Sequence, residues 1–275
     1  MRRLVLRLGE FLGALAWLLR VRRSVALDGL RRAFPAVSEA ERRALGRASY
    51  LQLGRSLAEI VMPLRGAELE RKVRFEGWDV FEAARAHGRG VVCAASHFGN
   101  FELLARAVPS RGVQLSVIVR NLGDAFGRWV LDRRSLTGVT NLPDRGSSGP
   151  ALAALRRGEV LAIAVDQNMR PARGIFVEFF GDKACTTPAA AVFALRAGAP
   201  LIAAFPLRQA DGSHLVRIRG PFSTQLSGHA AVEDLTQQIT SALEEEIRAR
   251  PDHWFWVHRR WKTRPEGEKG SRERV

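Results

Sequence analysis

The stretch CAASHFGNFE at residues 93–102 places a histidine, His97, directly after a short apolar run, and a glutamate, Glu102, five positions later. Gly99 permits a sharp backbone turn, and Asn100 is a residue type that often caps the start of a helix. With a turn at these two residues, His97 folds back over the start of the next helix and reaches Glu102. A carboxylate bonded to one imidazole nitrogen strengthens the other nitrogen as a base toward a hydroxyl group.

The same spacing has a second interpretation. A strand end followed by a capped helix often carries a histidine and a glutamate that form only local hydrogen bonds. Residues five apart do not share a face of a continuous helix, so their contact depends wholly on the turn. The spacing of His97 and Glu102 therefore indicates a candidate catalytic pair and leaves a purely structural role open.

The elements that must position His97 are short apolar strands that alternate with helices. Strands are predicted at residues 91–95, 114–119, 160–165, 200–205 and 214–219. Helices are predicted at residues 101–108, 124–136, 150–156, 188–197 and 232–250. This alternation predicts an α/β fold with a mixed, largely parallel sheet flanked by helices. In such sheets, functional side chains gather at the carboxyl ends of the strands.

The N-terminal part is predicted to be helical. Residues 38–41 match a capping box, and the apolar spacing that follows predicts a helix that ends near Met62. The apolar run at residues 11–19 is too short for a spanning helix, which needs about 20 mostly apolar residues. Residues 1–33 carry eight arginines and only two acidic residues. They fit a helix that lies on an anionic membrane surface, or one that packs on the protein's own core.

Chain length and charge bound the organisation. The 275 residues fit one domain, predicted at residues 1–265, with a helical, membrane-associating part at 1–66 and a mobile basic tail at 266–275. The net charge of +15 favours acidic partners such as nucleic acid, anionic lipid or a small acidic protein. Cys93 and Cys185 lie far apart in apolar surroundings and indicate buried thiols rather than a disulfide or a zinc site.

Four blocks of sequence together resemble the late acyltransferases of bacterial lipid A biosynthesis, a branch of the glycerolipid acyltransferases with an H-x4-D/E motif. The blocks follow one another in the family's order: HFGNFE at 97–102, VIVRN at 117–121 with Arg133 or Arg134 downstream, AVDQN at 164–168 with FFG at 179–181 and TTP at 186–188, and WVHRRWK at 256–262. The resemblance spans most of the chain.

This resemblance implies transfer of a fatty acyl group from an acyl-carrier-protein thioester, or from acyl-CoA, to a hydroxyl of a membrane lipid. A lipid A precursor is the leading acceptor; another glycolipid, such as a phosphatidylinositol mannoside, or a lysophospholipid is the alternative. His97 would act as general base and Glu102 would orient it, in a direct transfer without a covalent acyl-enzyme. The expected partners are acyl carrier protein and an anionic lipid at the cytoplasmic face of a bacterial inner membrane, without nucleic acid. No metal or organic cofactor is expected.

The resemblance also implies a substrate-binding set. Arg120 is the first candidate to meet negative charge that develops on the thioester oxygen, with a structural salt bridge as the alternative. Asp166 and Gln167 end an apolar run and are expected to emerge beside His97. There Asp166 would order arginines, shape the acceptor pocket or cap a loop.

Four more residues complete that set. Arg170 and Arg173 would bind phosphates of the acceptor, or they are ordinary surface charges. Asn100 and Gly181 belong to the matching blocks.

Other function classes lack their motifs. A nucleic-acid-binding protein is the main non-enzyme alternative because of the charge, yet no zinc-finger spacing or aromatic RNA-binding motif occurs. A serine hydrolase would need a G-x-S-x-G turn, and none is present. His253 and His258 are five apart, which does not suit two metal ligands on one helical face.

Overall fold

A computed structural model describes residues 2–120 and 125–267. Residues 121–124, which include Asn121 and the predicted helix start at Asp124, lie outside the described residues. So does most of the predicted tail, residues 268–275.

Three helices form the N-terminal part. They are α1 (Arg2–Leu18), α2 (Arg23–Ala33) and α3 (Glu39–Val61). The predicted capping box is confirmed, because Ser38 Oγ accepts the backbone N–H of Glu41 and the Glu41 carboxylate accepts that of Ser38. These reciprocal bonds satisfy backbone donors at the start of α3, which ends one residue before the predicted boundary.

Helix α1 packs on α3 through glycines. A Cβ atom placed on Gly54 would lie 2.0 Å from the carbonyl oxygen of Gly9, and one on Gly13 would lie 2.2 Å from that of Tyr50. The two backbones therefore approach as closely as glycine alone allows. At the end of α1, the buried Trp17 ring contacts the Tyr50 ring with 5.3 Å between centroids.

The opposite face of α1 is apolar and exposed. Its exposed large side chains are Leu4, Leu8, Phe11, Leu12 and Leu18, and Leu19 and Val21 continue this surface. One face of α1 therefore packs on the protein, as one of the two interpretations predicts, whereas contact of the exposed face with a membrane stays a prediction. No helix among the described residues is long and apolar enough to cross a membrane.

The rest of the described chain alternates strands and helices. The strands are β1 (Val73–Glu76), β2 (Val91–Ala95), β3 (Leu115–Val119), β4 (Val139–Pro143), β5 (Val160–Ala164), β6 (Ile175–Phe179), β7 (Asp182–Thr186), β8 (Leu201–Arg208) and β9 (His214–Phe222). The helices are α4 (Gly66–Lys72), α5 (Trp78–Ala86), α6 (Leu104–Ala107), α7 (Ala125–Ser135), α8 (Ser148–Arg156), α9 (Ala189–Ala197) and α10 (Gly228–Ala249).

Seven of these strands form one sheet in the order β1-β9-β8-β2-β5-β3-β4. Strands β8, β2, β5, β3 and β4 run parallel, whereas β9 pairs antiparallel with β8 and parallel with β1. Strands β6 and β7 form a separate antiparallel hairpin. Apolar cores lie on both faces of the sheet. The predicted fold class, an α/β protein with a largely parallel sheet and an N-terminal helical part, is confirmed.

Candidate active site

Strand register places His97 beside Asp166. In the parallel pair of β2 and β5, Ala95 lies opposite Ala164, and the chain continues two residues past each of them. His97 and Asp166 therefore emerge as neighbours at the carboxyl edge of the sheet, as the alternation of strands and helices predicts for functional residues.

Asp166 is the carboxylate that orients the catalytic candidate. Its Oδ1 lies 2.8 Å from His97 Nδ1, and its Oδ2 accepts the backbone N–H of His97 and the indole N–H of Trp254, each at 2.9 Å. Asp166 is only 3% exposed, and burial alone would raise its pKa. The nearby His97 and these hydrogen bonds outweigh burial and lower the pKa of Asp166 to about 2, so the carboxylate stays ionised.

The other imidazole nitrogen faces a cavity. Donation of Nδ1–H to Asp166 leaves Nε2 as an acceptor, and the Gln167 amide nitrogen lies 3.3 Å from it. The rings of Phe101 and Phe255 flank the imidazole, with centroids 4.9 and 5.9 Å away. Burial is the largest single influence and lowers the pKa of His97, but the charge and hydrogen bond of Asp166 and the charge of Glu102 together outweigh it, so the net pKa lies above the ordinary value of 6.5. The arrangement is that of an oriented general base.

The predicted contact between His97 and Glu102 requires a correction. Glu102 forms a bidentate ion pair with Arg134 of α7, from Nε at 2.8 Å and from Nη2. Arg134 offers a permanently charged, two-pronged donor, whereas the Nδ1–H of His97 already bonds Asp166. Glu102 is near enough for its charge to help raise the pKa of His97. Its position is thus beside the site rather than on the imidazole.

In the turn after His97, Gly99 allows the sharp bend as predicted, whereas Asn100 does not cap the next helix. Gly99 has φ of +57°, and a Cβ atom there would lie 1.8 Å from the carbonyl oxygen of Pro206. Asn100 was expected to cap the next helix, but its side chain makes no capping bond. Its Nδ2 instead donates to Glu59 Oε2 of α3 at 2.7 Å. This bond ties the turn at residues 97–100 to the N-terminal helices.

Glu59 is the centre of a second buried charge cluster, on the other side of that turn. Arg208 donates to both its oxygens, at 2.9 and 2.6 Å, and Arg2 of α1 donates at 3.0 Å. His214 Nε2 lies 3.3 Å from Oε2. Burial works to raise the pKa of Glu59, but these partners lower it strongly. Nothing in its sequence neighbourhood marked Glu59, because its partners come from four other segments.

The remaining predicted residues divide into two groups. Arg120, Gln167 and Arg173 line the cavity into which His97 opens, and Arg173 Nη1 lies 3.7 Å from a carboxylate oxygen of Asp144. The cavity lining does not include Arg170, an exposed residue before a short 3₁₀ turn.

Gly181 also stands outside the cavity lining among the described residues. It lies with Phe180 in the two-residue turn between β6 and β7, where both have positive φ. Such turns favour glycine, which accounts for Gly181 without contact to a substrate.

The cavity has a volume of about 870 Å³ and mostly apolar walls. It extends along one face of the sheet from β3 to β1. Its lining there includes Val117, Ala162, Ala204, Val216, Phe75 and Trp78. Polar and charged groups, including His97 and Arg120, gather at the strand ends. Such a shape fits a long hydrocarbon chain whose reactive end lies beside the imidazole.

The segment after α10 packs against the site and forms hydrogen bonds with the chain around it. Trp254, Trp256 and Trp261 are buried, which agrees with core packing. Arg260 is also buried and donates to the carbonyl oxygen of Cys185 at 2.8 Å, and burial lowers its pKa to about 10. His258 Nε2 accepts the backbone N–H of Asn168 at 2.8 Å. Burial lowers the pKa of His258 to about 4, which keeps it a neutral acceptor.

Within residues 2–120 and 125–267, no group of three or more His, Cys, Asp or Glu side chains is placed to hold a metal ion.

Comparisons with known proteins agree with this geometry. The sequence model of the family described as bacterial lipid A biosynthesis acyltransferase matches residues 2–263. The chain is 29% identical to the lipid A biosynthesis lauroyltransferase of Escherichia coli strain K12, over 96% of this chain and 87% of that protein. It is 28% identical to the palmitoleoyltransferase of that strain, over 95% and 86%, and 26% identical to its myristoyltransferase, over 95% and 81%.

Proposed function

The chain belongs to the bacterial lipid A biosynthesis acyltransferase family and is an acyltransferase, and from that premise we propose that it acylates a hydroxyl of a lipid A precursor. The proposed donor is a fatty acyl thioester of acyl carrier protein. One observation carries the proposal: His97 is oriented by Asp166 and turns its second nitrogen into a long apolar cavity.

In the proposed reaction, His97 Nε2 takes the proton of the acceptor hydroxyl while that oxygen attacks the thioester carbon. Asp166 stabilises the imidazolium that forms. The tetrahedral intermediate then collapses, the carbon–sulfur bond breaks, and the imidazolium returns its proton to the leaving thiolate. Every proton is accounted for within the site, and His97 ends in its starting form.

Direct transfer is favoured over a covalent acyl-enzyme. Cys93 lies within β2, and burial raises the pKa of its thiol to about 12. Since the thiolate is the nucleophilic form, a thiol with this pKa is inert near neutral pH. Ser96 is 3% exposed and is not among the hydrogen-bonding partners of His97. The acceptor oxygen itself is therefore the proposed nucleophile.

Arg120 is the proposed donor to the oxyanion. It follows β3, whose neighbour β5 leads into Asp166, and it lines the cavity at the same edge as His97. Positive charge at this position would stabilise the negative oxygen of the intermediate. Arg173, also on the cavity lining, is the proposed contact for a phosphate of the acceptor.

The apolar part of the cavity is the proposed site of the donor chain. The relatives named lauroyl-, palmitoleoyl- and myristoyltransferase indicate that long acyl chains suit this family. The side chains that line the sheet face would bury such a chain, at about 0.8 kcal/mol for each methylene group.

The exposed apolar face of α1 supports a location at the membrane surface. Leu4 and Leu18 are 72% and 71% exposed, and arginines flank this face in the sequence. We therefore propose peripheral association with the cytoplasmic face of a bacterial inner membrane, where acyl carrier protein and the lipid acceptor both have access.

The central test is His97→Ala with purified protein, acyl carrier protein loaded with a labelled acyl chain, and a lipid A precursor in mixed micelles. Loss of an oriented general base predicts a fall of about 10²- to 10⁴-fold in kcat. His229→Ala is the matched control, since this histidine is exposed on α10. Full transfer by the His97 variant would contradict the mechanism.

Two further measurements separate the parts of the proposal. Label that stays on denatured protein would contradict direct transfer. Acyl-CoA in place of the acyl carrier protein thioester tests the donor, and equal rates would contradict the assignment of the carrier protein.

A further inference from the structure

A second apolar groove lies between α1 and α3, on the face with the exposed leucines. Its volume is about 340 Å³. The lining includes Val5, Leu8, Leu12, Ala16, Val61 and Val257. The floor includes Gly9, Gly13 and Gly54, whose close contact brings the helix backbones together. The catalytic mechanism makes no use of this groove.

The groove shares its inner wall with the catalytic cavity. Leu53, Leu57 and Phe255 line both. The Phe255 ring lies 5.9 Å from the His97 ring, measured between centroids. A molecule in the groove would therefore be separated from the reacting nitrogen by little more than one layer of side chains.

We propose that the groove binds a hydrocarbon chain of the acceptor lipid. This inference rests on the proposed function. The reaction brings together two substrates with long chains, and the cavity along the sheet provides for one of them. The groove provides a separate apolar surface for the other, on the side of the protein that carries the exposed face of α1. Leu8 and Leu12 belong to both the groove and that face, so a chain enters directly from the bilayer.

Charge near the groove agrees with an acceptor that has an acidic headgroup. Arg22 lines the groove, and Arg20 and Arg23 stand beside it in sequence. Arg23 lies over the Trp17 ring at 4.6 Å, which fixes one positive charge near the end of α1. An acidic lipid would place its anionic headgroup at these arginines and bury its hydrocarbon chain between the leucines.

The test is Val61→Trp, which fills the groove from an exposed position while keeping the surface apolar. Val61 lines the groove and does not line the catalytic cavity. Leu4→Trp is the matched control, because Leu4 is exposed on α1 and does not line the groove. Val5→Trp fills the groove from the other helix and covers the case in which Val61→Trp alters the fold.

The measurements are steady-state kinetics with a long-chain and a short-chain lipid A precursor, and flotation with anionic phospholipid vesicles. We expect Val61→Trp to raise KM for the long-chain acceptor at least tenfold, the equivalent of about two methylene groups that lose burial. KM for the donor, its preferred chain length and vesicle binding stay unchanged. The short-chain acceptor shows little effect, and Leu4→Trp behaves as the parent protein.

Three results would overturn the inference. They are an unchanged KM for the long-chain acceptor in both groove variants, an altered donor chain-length preference, and equal losses in Val61→Trp and Leu4→Trp. The last would mean that both act on membrane association alone. Failure of the proposed function would show separately, as absence of transfer by the parent protein.

Discussion

Two buried carboxylates lie on opposite sides of the turn at residues 97–100, and their surroundings differ in kind. Asp166 and Glu59 are 3% and 4% exposed, and charged and hydrogen-bonding neighbours lower the pKa of both against burial. Asp166 binds an imidazole, an indole and a backbone amide. Glu59 binds two arginines, an amide side chain and His214.

The different partners of the two carboxylates suggest different tasks: proton transfer for the proposed site around Asp166, and positioning of the turn for Glu59. The charge of Asp166 is balanced by a group that titrates, and the second nitrogen of that group opens into the cavity. The charge of Glu59 is balanced by the permanently charged Arg2 and Arg208, and burial lowers the pKa of His214 below its ordinary value, which favours the neutral imidazole. Asn100 links the two, since it belongs to the turn that begins at His97 and its side chain bonds Glu59. Substitution of Asp166 should therefore change kcat and its pH dependence, whereas substitution of Glu59 should change the free energy of unfolding.

The largest effect is expected for Asp166→Asn, with a fall of about 10²- to 10⁴-fold in kcat because the imidazole loses its orienting carboxylate. Burial remains while the charge is gone, so the pKa of His97 falls. His97 acts as a base in its neutral form, and a lower pKa keeps that form to lower pH. The acid limb of the pH profile of kcat/KM should therefore move to lower pH. An unchanged limb would contradict the pairing, and Asp79→Asn at the surface is the control.

The next largest effect is expected for Glu59→Ala, which leaves Arg208 buried without its partner. Such a change costs about 3–5 kcal/mol in the free energy of unfolding, measured by urea denaturation. The double variant Glu59→Leu/Arg208→Met should recover much of that loss, since a buried pair replaced by apolar groups is often near neutral. The acid limb of the pH profile should stay in place. If it moved as in Asp166→Asn, the distinction between the clusters would be wrong.

The smallest effect is expected for Arg2→Ala. Its side chain is 24% exposed, so solvent weakens its ion pair with Glu59, and the loss should be about 1 kcal/mol or less. A chain of this size would show a fall of about 2–4 °C in Tm for each kcal/mol. Arg3→Ala, an exposed neighbour, is the control. Equal melting temperatures for both variants would show that the ion pair between Arg2 and Glu59 does not contribute to stability.

The sequence was informative where a signal is local. The run at residues 91–95 forms β2 with the predicted bounds, and Gly99 has the positive φ that its turn requires. The capping box at Ser38 begins α3. In each case the pattern and its physical cause lie within a few residues.

Partners across the fold were harder to predict. Asp166 was expected beside His97, but its role as the imidazole partner depends on β5 lying next to β2, which no local pattern reveals. Glu102 was assigned to His97 because the two are close in sequence; Arg134, which binds it, lies 32 residues further on. The β6–β7 hairpin was not predicted from the sequence, and its turn at Phe180 and Gly181 lies within the FFG block. The catalytic roles of His97 and Glu102 stay predictions, and the His97→Ala assay tests the first of them.

The glycine contact between α1 and α3 fixes the distance between α1 and the rest of the protein. Helices usually pack about 8–10 Å apart, according to the side chains between them, and here glycines let the backbones touch at Gly9, Gly13 and Gly54. α1 is therefore not a tether of adjustable length. With α1 resting on the bilayer as proposed, His97 works at one fixed distance from the lipid surface. The depth at which a lipid presents its hydroxyl would then select the acceptor, because only a hydroxyl at the level of His97 can meet the base.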